Sequence, residues 1–253
     1  MRPDVRAAVD ALLLSMADDE FVIGFSDSEW TGIAPMLEED VAMSSLAQDE
    51  LGHARALYEL LAALRDDDRD ADAIAYDRQP DEYRHCRLLD HGRGDWAQTV
   101  VRRFLYDTAD AVRLEALAEG SYPPLAGLVG KIRREERYHV MHARAWFDRL
   151  AQHLGAPRRR LEAAVDVVGP DAGTVFTSLP GEVALIQAGV LARPMAELRS
   201  RWRDQIGTIF GGLGIAVPAD TDDPRGREKH SDDFRWLWGE FTSVRRLDPV
   251  ATW

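Results

Sequence analysis

Apolar side chains recur every three or four positions along much of the chain, which is the spacing of amphipathic helices. The first such stretch covers about 4–25, and the second covers about 35–65. Residues 66–93 are acidic and poor in apolar anchors, so we predict a long connection there with at most a short helix. The helical spacing resumes over about 95–119 and again over about 122–153. These four segments predict two helical hairpins that together form a four-helix core.

The remaining third of the chain predicts shorter helices separated by glycine and proline. They lie near 157–168, near 193–210 with an end at Gly211 and Gly212, and near 230–246, where aromatic residues are frequent. No segment alternates apolar and polar residues with a period of two, so no sheet is expected. The pattern predicts an all-α protein of one domain over residues 1–253, with its core at about 4–153 and additional helices at about 157–246.

Two short motifs within the predicted helices suggest metal chemistry. Glu50 precedes His53 by three residues, and Glu136 precedes His139 by three. Three residues advance a helix by about 300°, so each pair shares one helix face and can bind one transition-metal ion. A third match to this spacing lies in the polar connection at Glu82-Tyr83-Arg84-His85. We predict that this third match arose by chance, because no helical carboxylate partners it.

Each motif has an acidic residue at the distance that a helical hairpin requires. Glu20 stands 30 residues before Glu50, and Asp107 stands 29 residues before Glu136. This repeated layout is that of ferritin-like bundles, in which four helices bind two iron or manganese ions. The alternative is that these side chains are solvated on helix surfaces. The predicted metal-binding and catalytic residues are Glu20, Glu50, His53, Asp107, Glu136 and His139.

Four carboxylates and two imidazoles are a donor set suited to two iron ions, with manganese possible. They lack the thiolates of a structural zinc site. Asp49 and Glu135 each precede the motif histidine by four residues. Either they orient the imidazoles from beside the ligands, or they are exposed neighbours on the same helix.

Composition excludes several other functions. The formal net charge is −13, and an acidic chain without a basic stripe argues against nucleic-acid binding. The cations are almost all arginine, since the lysines are Lys131 and Lys229. No apolar run reaches the ~18 residues of a membrane span, and no signal-peptide pattern begins the chain. The single cysteine, Cys86, excludes an internal disulfide. We therefore expect a cytoplasmic protein without a membrane segment.

Several of these stretches resemble the phenylacetic acid catabolic family, whose ferritin-like members are components of phenylacetyl-CoA 1,2-epoxidase. The resemblance extends from the first turn to the C-terminal region around His230. In length, and in its ending from Gly226 through Trp253, the chain is similar to the smaller ferritin-like component, whereas its ligand set is similar to that of the catalytic component. The matching stretches are Glu29-Trp30-Thr31-Gly32-Ile33-Ala34-Pro35, Gln48-Asp49-Glu50-Leu51-Gly52-His53 and Glu136-Arg137-Tyr138-His139.

The resemblance implies a di-iron oxygenase component that oxygenates the aromatic ring of a CoA thioester in phenylacetate catabolism. It further implies a homologous ferritin-like partner, and electrons from a separate reductase. No glycine-rich nucleotide fingerprint is present, so the reductase rather than this chain should bind NADPH. Either the run Arg158-Arg159-Arg160 or the homologous partner would meet the acyl-CoA phosphates. The alternatives are a ferritin-like iron-binding oxidase and a non-catalytic structural subunit.

Overall fold

The computed structural model describes residues 1–221 and 227–248, and this part of the chain is helical without any strand. The predicted all-α class is therefore confirmed. The 3-10 helices of the described residues are Pro80–Glu82, Arg87–Asp90 and Gly169–Phe176. The α-helices are α1 (Pro3–Ser28), α2 (Leu37–Arg65), α3 (Ala71–Tyr76), α4 (Trp96–Ala118), α5 (Pro123–Gln152), α6 (Ala156–Val168), α7 (Glu182–Gln187), α8 (Met195–Leu213), α9 (Asp232–Phe241) and α10 (Ser243–Leu247).

The four long helices lie close to their predicted bounds, and the differences occur at turns. Helix α2 begins at Leu37 rather than at about 35, and Gly32 in the turn before it has φ of 84°. The backbone N–H of Gly32 donates to the Asp40 carboxylate at 2.9 Å, which ties this turn to the start of α2. The turn places Trp30 in the protein interior.

Two predicted helix ends in the C-terminal third were wrong. Helix α8 continues through Gly211 and Gly212 and ends at Leu213. The next residue, Gly214, has φ of 63°, the left-handed conformation that terminates helices. The predicted helix near 230–246 divides at Thr242 into α9 and α10, and the Thr242 hydroxyl donates to the Trp238 carbonyl at 2.6 Å. Helix α7 and the 3-10 helix Gly169–Phe176 were not predicted, since both are too short to show a period.

The chain divides into two compact units, and each is described separately. The first unit comprises Met1–Leu12, Cys86–Leu88 and Arg93–Gly226, and the second comprises Leu13–His85, Leu89–Gly92 and Arg227–Trp253. The expectation of a single domain stays a prediction. Gly226 and residues 249–253, which the sequence resemblance includes, lie outside the described residues.

The first unit is built around α4, whose residues are mostly buried and which packs against α5, α6 and α8. Three phenylalanines join these helices. The ring of Phe104 stacks on that of Phe147 at 4.3 Å, and Phe147 lies 5.2 Å from Phe210. On α8, the Trp202 indole N–H donates to the Thr108 hydroxyl at 3.0 Å. Helix α4 is therefore held in place along its length.

The second unit has an aromatic core around Phe21 of α1. Its ring makes edge contacts with Tyr58 at 5.8 Å and with Phe241 at 5.0 Å. The indole N–H of Trp238 donates to the Arg78 carbonyl at 2.9 Å, whereas Trp236 is 56% exposed. The aromatic C-terminal segment therefore covers the core of its own unit, apart from Trp236.

Candidate metal centre

Within the second unit, three predicted ligands converge in the interior. Glu20, Glu50 and His53 are all buried, and each offers a ligand atom within 4.8 Å of the others. The His53 Nδ1 atom lies 3.3 Å from a Glu20 carboxylate oxygen and 3.7 Å from a Glu50 carboxylate oxygen. A buried imidazole nitrogen facing two buried carboxylates is a donor set for a cation.

The structure also distinguishes Glu20 from the two acidic residues before it. Asp18 accepts a hydrogen bond from the Tyr58 hydroxyl at 2.6 Å and is paired with Arg78 at 2.9 Å. Asp19 accepts from the Arg227 guanidinium at 2.8 Å. These two carboxylates therefore stabilise the unit through arginine, while Glu20 faces His53. Of the three acidic residues, Glu20 is the one that the hairpin spacing indicated.

In the first unit, the second motif has the same local geometry. Glu136 and His139 are both buried on α5, and His139 Nδ1 lies 3.1 Å from a Glu136 oxygen. The residues between and around them face outward, since Glu135, Arg137 and Tyr138 are exposed. The two motif side chains therefore share the inner face of α5.

Asp107 is also buried, but the structure pairs it with a cation that the sequence analysis missed. The Arg103 guanidinium lies 3.1 Å from a carboxylate oxygen of Asp107, one helical turn away on α4, and Arg103 is buried as well. A second buried pair follows on the same helix, where the Arg113 guanidinium donates to Asp110 at 2.7 Å. The i,i+4 and i,i+3 spacings of these pairs were the available signal.

Five of the six predicted ligands suit iron or manganese, and Asp107 suits them less well. The three converging groups of the second unit and the Glu136–His139 pair of the first unit are oxygen and imidazole donors in protected surroundings. Arg103 is a cation that competes with a metal for Asp107, so this carboxylate has the weakest fit. Of the two candidate orienting carboxylates, Asp49 is partly buried and Glu135 is exposed.

The third match to the motif is not a carboxylate–imidazole pair. The Glu82 carboxylate accepts from the Gln79 backbone N–H at 2.6 Å and so caps a 3-10 helix. His85 lies instead against Asp90, with 2.7 Å between its Nε2 atom and a carboxylate oxygen. The contacts therefore separate Glu82 from His85, and the sequence analysis missed the burial of His85.

His85, Asp90 and His230 form a cluster with the residue types of a metal site but not the geometry. The His230 Nδ1 atom lies 3.0 Å from the same Asp90 oxygen, and its Nε2 atom faces the Tyr83 carbonyl at 3.0 Å. The two imidazole rings stack at 4.0 Å with only 17° between their planes. Nitrogen lone pairs lie in the ring plane, so nearly parallel rings do not direct them at one ion. We interpret the cluster as a hydrogen-bonded structural element.

The chain is similar to known proteins over its whole length. Residues 1–253 match the family described as Phenylacetic acid catabolic protein. The chain is 26% identical over 248 residues to the C subunit of 1,2-phenylacetyl-CoA epoxidase from Escherichia coli strain K12, covering 96% of this chain and 98% of that protein. It is 27% identical over 239 residues to the A subunit of the same enzyme, covering 90% and 74% respectively. Within the described residues, no helix has the length and apolar character of a membrane span.

Proposed function

Because the chain belongs to the phenylacetic acid catabolic protein family, we propose that it is the oxygenating component of a multicomponent epoxidase acting on an aromatic acyl-CoA. Both relatives named above are subunits of such an epoxidase, which supports the reaction class. The observation that carries the proposal is the convergence of buried Glu20, Glu50 and His53. Burying two carboxylates costs free energy, which a bound cation would offset.

The six predicted ligands would serve two iron ions, with manganese as the alternative. When bound, the metal pair supplies the activation of dioxygen. In the overall reaction, one oxygen atom of dioxygen would add across a ring double bond and the other would leave as water. A separate reductase would supply the two electrons, and solvent would supply the two protons of that water. The chain itself contributes carboxylates that neutralise the cations, and a buried setting that excludes bulk water.

The proposal requires two protein partners. A homologous ferritin-like subunit is one, since the two relatives are different subunits of one enzyme. The reductase is the other, because this sequence contains no glycine-rich nucleotide fingerprint. We therefore expect the chain to act as part of a cytoplasmic oligomer.

The Arg103–Asp107 pair favours a second candidate function, that of a non-catalytic subunit of such a complex. A buried arginine neutralises Asp107 without any metal, as expected for a ferritin-like chain whose interior is stabilised by internal ion pairs. The two candidates differ in whether the metals of this chain perform the chemistry.

The decisive assay combines the purified chain, anaerobically added ferrous iron, a family reductase, phenylacetyl-CoA and oxygen. We expect an oxygenated CoA product, detected by mass, that depends on both oxygen and reductase. The variants His53→Ala and His139→Ala should abolish it, whereas Glu82→Ala, outside the centre, should retain it. If both histidine variants form as much product as the wild type, the metals of this chain are not the catalyst. That result would favour the structural subunit.

A further inference from the structure

A cavity in the first unit opens beside a predicted metal ligand. It has a volume of about 500 Å³ and lies along α4 and α5, with Gln205 of α8 at its edge. Ligand pockets usually measure about 300–1,000 Å³, so this one has room for part of an organic molecule. Its lining includes Glu136, so a molecule held there would adjoin the candidate metal centre.

The charge of this cavity is opposite to that of the chain. The formal net charge is −13, yet three arginines line the cavity from two successive turns of α5, namely Arg133 and Arg134 in one turn and Arg137 in the next. All three are exposed, and within the described residues none of them forms an ion pair. The other acidic residue of the lining, Glu115, is paired with Arg201 at 2.8 Å. The three guanidinium groups are therefore available to an external anion.

The rest of the lining suits an apolar group. Val112, Leu114 and Val140 contribute aliphatic side chains, and Gly130 leaves its position without one. The cavity thus combines cations that can bind an anion bidentately with a wall for an apolar chain.

The alternative cationic run, Arg158-Arg159-Arg160, has a different structural role at its first member. The Arg158 guanidinium donates to the Leu213 carbonyl at 3.0 Å and to the Glu162 carboxylate at 2.9 Å. It thereby holds the end of α8 in place. Arg159 and Arg160 are exposed, and Arg160 lies 3.9 Å from Asp95. In this run, Arg158 is hydrogen-bonded within the protein. The three cavity arginines have no ion-pair partner in the described part of the chain.

We propose that Arg133, Arg134 and Arg137 bind the phosphate groups of the acyl-CoA, and that the cavity is where this substrate enters. The inference rests on the proposed function, since the substrate class comes from there. Guanidinium groups bind phosphate bidentately, and CoA carries both a diphosphate and a phosphate monoester. The pantetheine chain would then fold along the aliphatic wall toward Glu136.

The test measures binding separately from turnover. Coenzyme A itself is titrated into the iron-free protein by calorimetry, so no reaction is needed. We expect each of Arg133→Gln, Arg134→Gln and Arg137→Gln to weaken binding about tenfold, because each removes a charge-assisted hydrogen bond. Lysine at the same positions should recover part of the affinity, since it keeps the charge but lacks the bidentate fork.

The matched control is Arg159→Gln combined with Arg160→Gln, which removes exposed arginines of the rival run and should leave binding unchanged. Thermal unfolding checks that all variants are folded, which is expected for exposed side chains. Weaker binding in the control and not in the cavity variants would overturn the inference. So would unchanged binding in the triple variant of Arg133, Arg134 and Arg137.

The assay of oxygenation then separates the two proposals. If the wild type binds coenzyme A through the three arginines but forms no product, the proposed function fails and the inference stands. If the wild type forms product while the triple variant binds and turns over normally, the inference fails and the function stands. If both hold, the triple variant should show a raised KM for phenylacetyl-CoA and an unchanged kcat.

Discussion

The guanidinium of Arg103 lies 3.1 Å from the carboxylate of Asp107, and both side chains are buried on α4. A cation held by the protein therefore already neutralises one of the predicted metal ligands. In Arg103→Met the carboxylate loses this partner, so we expect the metal-free protein to lose about 3–5 kcal/mol of stability. Ferrous iron should then raise Tm more in the variant than in the wild type, because the metal replaces the lost charge.

The matched control for this experiment is Arg113→Met. Arg113 is equally buried on α4 and pairs with Asp110, which is not a predicted ligand. A similar loss of stability is expected, but without any added response to iron. An equal iron-dependent rise of Tm in both variants would show that Asp107 binds no metal. Differential scanning calorimetry under anaerobic conditions provides the measurement.

Iron content tests the ligand assignment directly. We expect about two irons per chain after anaerobic loading, and at least one fewer in Glu50→Ala or in Glu136→Ala. Glu82→Ala is the control, because this exposed residue only caps a 3-10 helix. Quantification by mass spectrometry of the desalted protein gives the stoichiometry. Equal loss of iron from the Glu82 variant would contradict our separation of the three motifs.

The approach of α1 to α2 depends on a glycine beside a ligand. A Cβ added at Gly24 would lie 3.0 Å from Leu51 Cγ and 3.1 Å from Glu50 Cβ. We expect Gly24→Ala to cost about 1–3 kcal/mol, as overpacking does, and to weaken iron binding by moving Glu50. Gly52→Ala is the control, since nothing lies within 4 Å of its added Cβ. The Gly52→Ala variant should be more stable than the wild type by up to about 1 kcal/mol, because alanine favours the helix more than glycine does. Chemical denaturation of both variants would show the difference.

The cluster of His85 and Asp90 predicts how stability depends on pH. Burial lowers the pKa of His85, so the unfolded chain binds its proton more readily and stability falls as the pH drops below about 6.5. For Asp90, burial raises the pKa, but hydrogen bonds from His230 and His85 outweigh it and hold the pKa well below its usual range. This carboxylate therefore stabilises the protein above about pH 4, and the contribution disappears at lower pH.

Two variants distinguish these contributions. Asp90→Asn should be less stable than the wild type at pH 7, and the difference should shrink as the pH falls below about 4. His85→Gln should flatten the loss of stability between about pH 6.5 and 5. Denaturant titrations at several pH values measure both. If the free energy of unfolding of the His85 variant falls with pH as steeply as that of the wild type, another group controls stability between about pH 6.5 and 5.

The pattern of apolar positions determined most of the helices, because a helix of many turns repeats its period often enough to be recognised. It did not determine where α8 ends, since Gly211, Gly212 and Gly214 can each terminate a helix. Of these three glycines, Gly214 is the one that adopts the left-handed conformation, with φ of 63°. Short helices such as α7 show too few periods to be predicted at all.

The sequence also determined that Glu50 faces His53 and that Glu136 faces His139, because a separation of three residues fixes the relative direction of two side chains within one helix. The long-range contacts were decided by the tertiary structure. Only the folded chain brings Asp90 to His230, which lies 140 residues further on. Such contacts depend on which helices pack against one another, and the apolar period marks the buried face of each helix without specifying its partner.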